Sequence, residues 1–207
     1  MASFQISANA NPYCGDCVEV LKDIGGKSGV ILADGMGTGL SAHLTADLCS
    51  QTMSKLLASG FSVAAAIKVA NAALILKDGD ECFSSLDLLV FDPFSGQTDF
   101  FKAGATCSFV KRKNKINRVE LSSTPIGILE STDFAATSLL LSEGDVVLLL
   151  SDGVTQGDTS WINSLLFDKR LDSAFALAKA ICETAVSKQP PAHSDDISAA
   201  VMMVGEN

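Results

Sequence analysis

The feature that most constrains this chain is a short apolar run that ends in Asp-Gly, which occurs twice. Residues 29–35 read Gly-Val-Ile-Leu-Ala-Asp-Gly, and residues 145–153 read Asp-Val-Val-Leu-Leu-Leu-Ser-Asp-Gly. Near the C-terminus the order is reversed, because Asp195 and Asp196 open the apolar run of residues 197–204. Short continuous apolar runs of this kind are typical of buried strands. The sequence therefore predicts three core strands with carboxylates at their ends.

These carboxylates point to a metal site. At the rim of a hydrophobic core an unpaired charge is costly, and several converging carboxylates raise one another's pKa. A hard divalent cation would remove that conflict, and oxygen ligands favour Mg²⁺ or Mn²⁺ over zinc. Asp34 is followed by Gly35, whose carbonyl can approach an ion closely because the residue has no Cβ. The alternative is that each Asp-Gly is an ordinary turn, which its repetition at strand ends disfavours.

Hydrophobic periodicity predicts an α+β protein in which helices cover antiparallel sheets. The chain shows no internal repeat and no linker-like segment, so we expect a single domain over residues 1–207. The predicted strands are residues 16–24, 29–34, 85–91, 97–102, 107–111, 115–121, 136–142, 145–151 and 197–204, and the predicted helices are residues 40–60, 62–77 and 171–187.

Composition and net charge limit the kinds of partner that the chain can bind. The 207 residues are 47% hydrophobic and 19% charged, with a net charge of −9. This indicates a globular protein and disfavours nucleic acid as a partner, because phosphate neutralisation needs a basic face. The basic cluster at residues 111–115 is interpreted as a solvated hairpin tip, and the alternative is a contact for an acidic or phosphorylated partner. No apolar stretch reaches the roughly 18 residues of a membrane span. We therefore expect a cytoplasmic protein without membrane contact, either as given or as a domain excised from a longer chain.

The cysteines and histidines give little further information about the functional site. Cys14 and Cys17 form a single C-x-x-C, which is weak evidence for zinc without a second pair of ligands. His43, early in a predicted helix, is interpreted as a packing residue. His193 precedes the acidic pair and is a candidate to tune it.

Rival nucleotide-site and phosphotransfer interpretations of the region around Asp34 fail on spacing. Residues 35–39 lie between a strand and a helix, but a dinucleotide loop would need glycine at Leu40. No P-loop lysine follows. A haloacid-dehalogenase-type phosphotransfer site would need an aspartate at Leu32.

The motifs together resemble a known family. Residues 34–39, Asp-Gly-Met-Gly-Thr-Gly, resemble the D-G-M-G-x-G motif of the metal-dependent PP2C-type (PPM) serine/threonine phosphatases, and the bacterial SpoIIE-like branch matches best. The resemblance covers nearly the whole chain. The other matching segments, in order, are residues 14–16, 84–88, 102–105, 108–112, 125–128, 144–145, 151–154 and 195–198.

The resemblance implies an α-β-β-α sandwich, in which two antiparallel sheets are flanked by helices, with a binuclear Mn²⁺ or Mg²⁺ site at one edge. By motif position Asp34 would bridge both ions and the Gly35 carbonyl would bind one. Asp152 and Asp195 would complete the core of the site. Asp16 would take the place of an early acidic ligand, and Asp196 would support the ligands from behind.

The resemblance also implies an activity. A metal-activated water would hydrolyse phosphoserine on a small regulatory protein of the anti-anti-sigma type, with a regulatory domain or a dimer partner as a possible further contact. The chain departs from animal-type members, because it has no arginine before Arg112 to bind the phosphate. The alternative is a non-catalytic phosphoprotein-binding module on the same fold, which would be signalled by loss of a metal aspartate.

Overall fold

The computed structural model describes residues 1–8, 11–77, 82–131, 133–189 and 194–205, and these form two five-stranded antiparallel sheets. The first sheet has the order β1-β10-β9-β6-β7, and the second has the order β2-β3-β4-β5-β8. The strands are β1 (Ala2–Ile6), β2 (Asp16–Leu21), β3 (Ser28–Gly35), β4 (Ser84–Phe91), β5 (Gln97–Ala103), β6 (Ser108–Arg112), β7 (Lys115–Val119), β8 (Ala135–Leu140), β9 (Val146–Leu150) and β10 (Ile197–Met203).

Within the described ranges, five helices flank the sheets or follow strand ends. Their bounds are α1 (Leu40–Ala58), α2 (Val63–Ile75), α3 (Asp152–Thr155), α4 (Ser160–Leu166) and α5 (Ala174–Lys188). Helices α1 and α2 cover the second sheet, while α4 and α5 cover the first. The predicted α-β-β-α sandwich is confirmed.

Strand β3 shows why the apolar runs are continuous. Successive side chains of a strand point to opposite faces. Val30 and Leu32 therefore pack between the two sheets, while Ile31 and Ala33 pack against the helices. Both faces of the strand are buried, so no polar alternation survives in its sequence.

Three elements escaped the sequence-based prediction. Strand β1 is half-buried along its whole length and shows no clear alternation. Helices α3 and α4 are only four and seven residues long, too short for a helical period to emerge.

Several predicted boundaries differ from the structure, and two of them differ by three residues. The strand expected over residues 16–24 ends at Leu21, because Asp23 accepts a hydrogen bond from the Gly26 amide and starts the turn. The helix expected from Leu171 begins at Ala174, where the Ser173 side chain caps it by accepting from the Ala176 amide.

Strand pairing brings the predicted carboxylates to one edge of the sandwich. Asp16 and Asp34 are direct partners across β2 and β3. In the other sheet, β9 ends just before Asp152 and β10 begins just after Asp196, and these two strands pair with each other.

None of the helices in the described part of the chain has the length and hydrophobicity that a membrane span requires.

Candidate metal centre

A cleft of about 390 Å³ lies at this edge, and three of the predicted carboxylates line it. Asp34 comes from the end of β3, Asp152 from the start of α3, and Asp195 from the segment before β10. The glycine-rich loop of residues 35–38 and the segment of residues 104–106 also line the cleft. The cleft therefore collects acidic groups from both sheets.

Asp34 has the most perturbed environment of these groups. Its pKa is raised to about 9, chiefly by burial and also by the charges of Asp16, Asp152 and Asp195 and a hydrogen bond to Asp152. A carboxyl group in this position holds its proton at neutral pH unless a cation replaces it. The contact with Asp152 joins the two Asp-Gly steps that the sequence places far apart.

Asp16 lies beside Asp34 and is almost fully buried, with 3% of its surface exposed. Its pKa is raised to about 7. Burial is the main cause, hydrogen bonds from Ser198 and Ser151 act against it, and the charges of Asp196 and Asp152 add to it. Its Oδ2 atom has no hydrogen-bond partner among the described residues. A buried carboxylate oxygen without a partner is costly, and a bound cation would relieve that cost.

Asp195 is held from two sides. Its Oδ2 accepts from Gln156 Nε2 at 2.8 Å, and its Oδ1 accepts from the Asp196 amide at 2.9 Å. Partial burial raises its pKa, as does the charge of Asp152. Its orientation is therefore fixed while it still borders the cleft.

Asp196 behaves differently from its neighbour. Its Oδ1 accepts from the Ala8 amide at 2.8 Å and its Oδ2 from the Gly15 amide at 2.9 Å. Both oxygens are thus occupied, and the side chain is buried. Gly15 in turn accepts from the Gly35 amide at 3.1 Å. Asp196 therefore holds the chain before Asp16 against the loop that carries Gly35.

Gly35 is required for a reason that the sequence did not reveal. A Cβ at this position would lie 2.1 Å from the Ala42 carbonyl oxygen on α1. The absence of a side chain thus lets β3 pack directly on the helix backbone.

The residues fit a divalent cation by their chemistry. Within the described ranges, no three His, Cys, Asp or Glu side chains already converge as ligands of one ion. The ionisable side chains that line the cleft are nevertheless all carboxylates, whose oxygens are the ligands that Mg²⁺ and Mn²⁺ prefer. The pKa values of Asp16, Asp34 and Asp195 are raised, and one oxygen of Asp16 has no hydrogen-bond partner among the described residues. A positive charge beside these carboxylates would therefore stabilise them.

The other candidate residues lie outside the cleft lining. Burial raises the pKa of the Cys14 thiol to about 12 and also raises that of Cys17, so neither is a ready thiolate. His43 Nδ1 lies 3.0 Å from the Cys14 carbonyl oxygen, and its ring packs near Tyr13, as a packing residue would. His193 lies outside the described residues.

The basic cluster at residues 111–115 spans the β6–β7 hairpin, as expected. Lys113 occupies its turn with φ of 50°.

Sequence reasoning missed a buried ion pair beneath the cleft. Lys102 and Asp87 are both fully buried and hydrogen-bonded to each other and to Ser108. The only available signal was a charged residue at an inward position of each of two adjacent strands.

Comparison with known proteins is consistent with this geometry. The family model for stage II sporulation protein E (SpoIIE) matches residues 24–204. Stage II sporulation protein E of Bacillus subtilis (strain 168) is 30% identical over 199 residues, a match that covers 93% of this chain and 24% of that protein. The chain thus spans about a quarter of the length of that relative.

Solved structures show the same fold. The PP2C phosphatase domain of SpoIIE from Bacillus subtilis, solved with a fragment of its regulatory domain, superposes with a TM-score of 0.84 at 27% identity. That match covers 97% of this chain and 61% of that one. The S. agalactiae serine/threonine phosphatase gives a TM-score of 0.83 at 15% identity, covering 98% of both chains, a likeness of fold alone. With the family match over most of its length, the chain belongs to the SpoIIE family and has the PP2C-type phosphatase fold.

Proposed function

We propose that residues 1–207 form one phosphatase domain, a metal-dependent protein serine/threonine phosphatase that hydrolyses phosphoserine on a small regulatory protein. The observation that carries the proposal is the meeting of Asp34, Asp152 and Asp195 around one cleft, with Asp16 directly opposite Asp34 across β2 and β3. Family membership supports the same reaction class.

The proposed cofactor is a pair of Mn²⁺ or Mg²⁺ ions. Asp34 and the Gly35 carbonyl would hold them together with Asp152 and Asp195, and Asp16 would add a further oxygen. When bound, such ions lower the pKa of a water molecule and neutralise the charge of a phosphoryl group.

The residues of the chain prepare the cleft for this chemistry. Asp195 is oriented by Gln156 and by the Asp196 amide, and Asp196 holds the Gly15–Gly35 contact in place. The described residues that line the cleft include no lysine or arginine. Without cations the cleft therefore repels a phosphate, and this agrees with the absence of an arginine before Arg112.

The test is hydrolysis of an aryl phosphate and of a phosphoserine protein, with and without Mn²⁺. We expect Mn²⁺-dependent turnover that is lost in Asp34→Asn and Asp152→Asn. The matched control is Asp172→Asn, an exposed aspartate outside the cleft, which should keep full activity. A wild-type protein that binds no Mn²⁺ or Mg²⁺ and is as inert as the Asp34 variant would overturn the proposal.

The substrate is proposed to be a phosphorylated regulator of the anti-anti-sigma type, which the family resemblance supports. The domain would act in the cytoplasm, controlled by a regulatory segment or a second copy of the chain. A serine-phosphorylated anti-anti-sigma protein from the same genome should be turned over faster than phosphorylated casein. Equal rates on the two proteins would contradict the substrate assignment while leaving the phosphatase assignment intact.

A further inference from the structure

The ammonium group of Lys102 ties together three parts of the fold. It donates to Asp87 Oδ2 on β4, to Ser108 Oγ on β6 at 2.7 Å, and to the Thr106 carbonyl oxygen at 2.7 Å. A lysine has three donors, so its hydrogen-bonding capacity is fully used. In the described part of the chain, Lys102 is the one lysine or arginine that is buried. It thereby links the two sheets at a defined geometry.

This cluster lies directly beneath the cleft. Asp87 is the cross-strand partner of Leu32, and Ser85, two residues earlier, is the partner of Asp34. Side chains two residues apart on a strand share a face. Asp87 therefore points between the sheets on the same face as Asp34, one step deeper along the strands.

A chain of hydrogen bonds leads from Lys102 to the element that carries Asp152. Thr106 lines the cleft, and its Oγ1 is hydrogen-bonded to Thr155 Oγ1 at 2.8 Å. Thr155 ends helix α3, and its hydroxyl donates to the carbonyl of Asp152 at 3.3 Å. A four-residue helix has little stability of its own, so external contacts set its position. The cleft wall at Thr106 is one such contact.

We propose that Lys102 is a positioning residue: through Thr106 and Thr155 it holds α3 so that the Asp152 carboxylate stays beside Asp34. This role rests on the proposed metal-dependent function. A buried ion pair is seldom the most stable way to fill a core, since apolar residues of similar volume often serve as well. The pair instead fixes the distance between Asp87, which lies beneath the cleft, and Thr106, which lines it.

The test separates positioning from stability by measuring Mn²⁺ binding directly. Thr106→Val and Thr155→Val each remove the hydroxyl–hydroxyl bond with almost no change of volume. We expect the Kd for Mn²⁺, measured by titration calorimetry, to rise roughly fivefold in each, the effect of losing one ordinary hydrogen bond. The matched control is Thr98→Val on the same strand as Lys102, where a fully buried hydroxyl donates to the Gly96 carbonyl in a distant turn. It should lose similar stability and leave the Kd unchanged.

A paired variant, Lys102→Met with Asp87→Asn, removes both buried charges at once. We expect it to fold and to bind Mn²⁺ at least fivefold more weakly, because the Thr106 carbonyl loses its donor. If it does not fold, the threonine variants decide alone. An unchanged Kd in the folded paired variant, an unchanged Kd in both Thr106→Val and Thr155→Val, or an equal rise in Thr98→Val overturns the positioning role. A wild-type protein that binds no Mn²⁺ instead overturns the proposed function on which that role rests.

Discussion

Asp16 and Asp34 face each other across β2 and β3, and the charge of Asp16 raises the pKa of Asp34. A buried and a half-buried carboxyl group facing each other on adjacent strands would ordinarily weaken a sheet, since like charges directly opposite each other repel. Here the pair lies at the edge where α3 and the start of β10 bring Asp152 and Asp195. The repulsion is therefore built into the part of the fold where a cation would be bound.

The first prediction concerns the stability of the metal-free protein as a function of pH. The pKa of Asp16 is raised from 3.8 to about 7, and that of Asp34 from 3.8 to about 9. The folded state therefore holds these protons more tightly than the unfolded state. The contribution of the two groups to stability is complete below about pH 4 and is lost as pH rises through about 7 and then 9.

Thermal unfolding in the presence of a chelator checks this prediction. We expect the midpoint to fall between pH 5.5 and 8.5 by more in the wild type than in Asp16→Asn, and saturating Mn²⁺ to flatten the slope. Identical slopes for the two proteins would show that Asp16 is not protonated in the folded state.

The second prediction separates stability from metal binding at Asp34. Asp34→Asn removes a carboxyl group whose pKa is raised to about 9, so the metal-free variant should unfold at the same or a higher temperature than the wild type at pH 8. Its affinity for Mn²⁺ should fall on the order of a hundredfold. This is the upper end of the loss found when a hydrogen-bond partner of a metal ligand is mutated, and Asp34 is itself a proposed ligand. Calorimetric unfolding scans with and without Mn²⁺ measure both effects. If the metal-free variant were less stable than the metal-free wild type, this would contradict the idea that Asp34 is repelled by its neighbouring carboxylates.

The sequence predicts the carboxylates at the strand ends of this site better than the buried charges beneath it. The apolar runs before Asp34 and Asp152 and after Asp196 locate three strands correctly, because burial on both faces leaves a continuous signal. The Asp87–Lys102 pair gives no comparable signal. Each residue is a single charge within an apolar strand, and only the pairing of β4 with β5 brings the two together.

The distinct roles of the two adjacent aspartates were predicted only through the family resemblance. Nothing in the local sequence distinguishes Asp195, which lines the cleft, from Asp196, which accepts two backbone amides. The donors to Asp196 come from Ala8 and Gly15, more than 180 residues earlier in the chain. A contact of that range is a property of the assembled fold.

The third prediction tests the role of Asp196 as an acceptor. Asp196→Asn keeps the volume, but its NH₂ group faces one of the two backbone amides and leaves that donor unsatisfied. We expect a loss of about 1–3 kcal/mol in the free energy of unfolding, measured by urea titration. Asp158→Asn is the matched control, because Asp158 also accepts a backbone amide, that of Ser160, but is exposed. Its effect on the free energy of unfolding should be small beside that of Asp196→Asn, because water can replace the lost contact. Equal losses in the two variants would remove the special role of Asp196.

The fourth prediction concerns the contact between β3 and α1 at Gly35. In Gly35→Ala the new Cβ would fall 2.1 Å from the Ala42 carbonyl oxygen, and because that atom belongs to a helix backbone it cannot rotate away. The helix or the strand must shift, and overpacking of this kind costs about 1–3 kcal/mol. The same shift would displace the Gly35 carbonyl from the cleft, so Mn²⁺ affinity should fall together with stability. Gly205→Ala, where nothing lies within 4 Å of the added atom, is the control and should change neither quantity. If Gly35→Ala were destabilised but bound Mn²⁺ as tightly as the wild type, the Gly35 carbonyl would have no part in holding the metal.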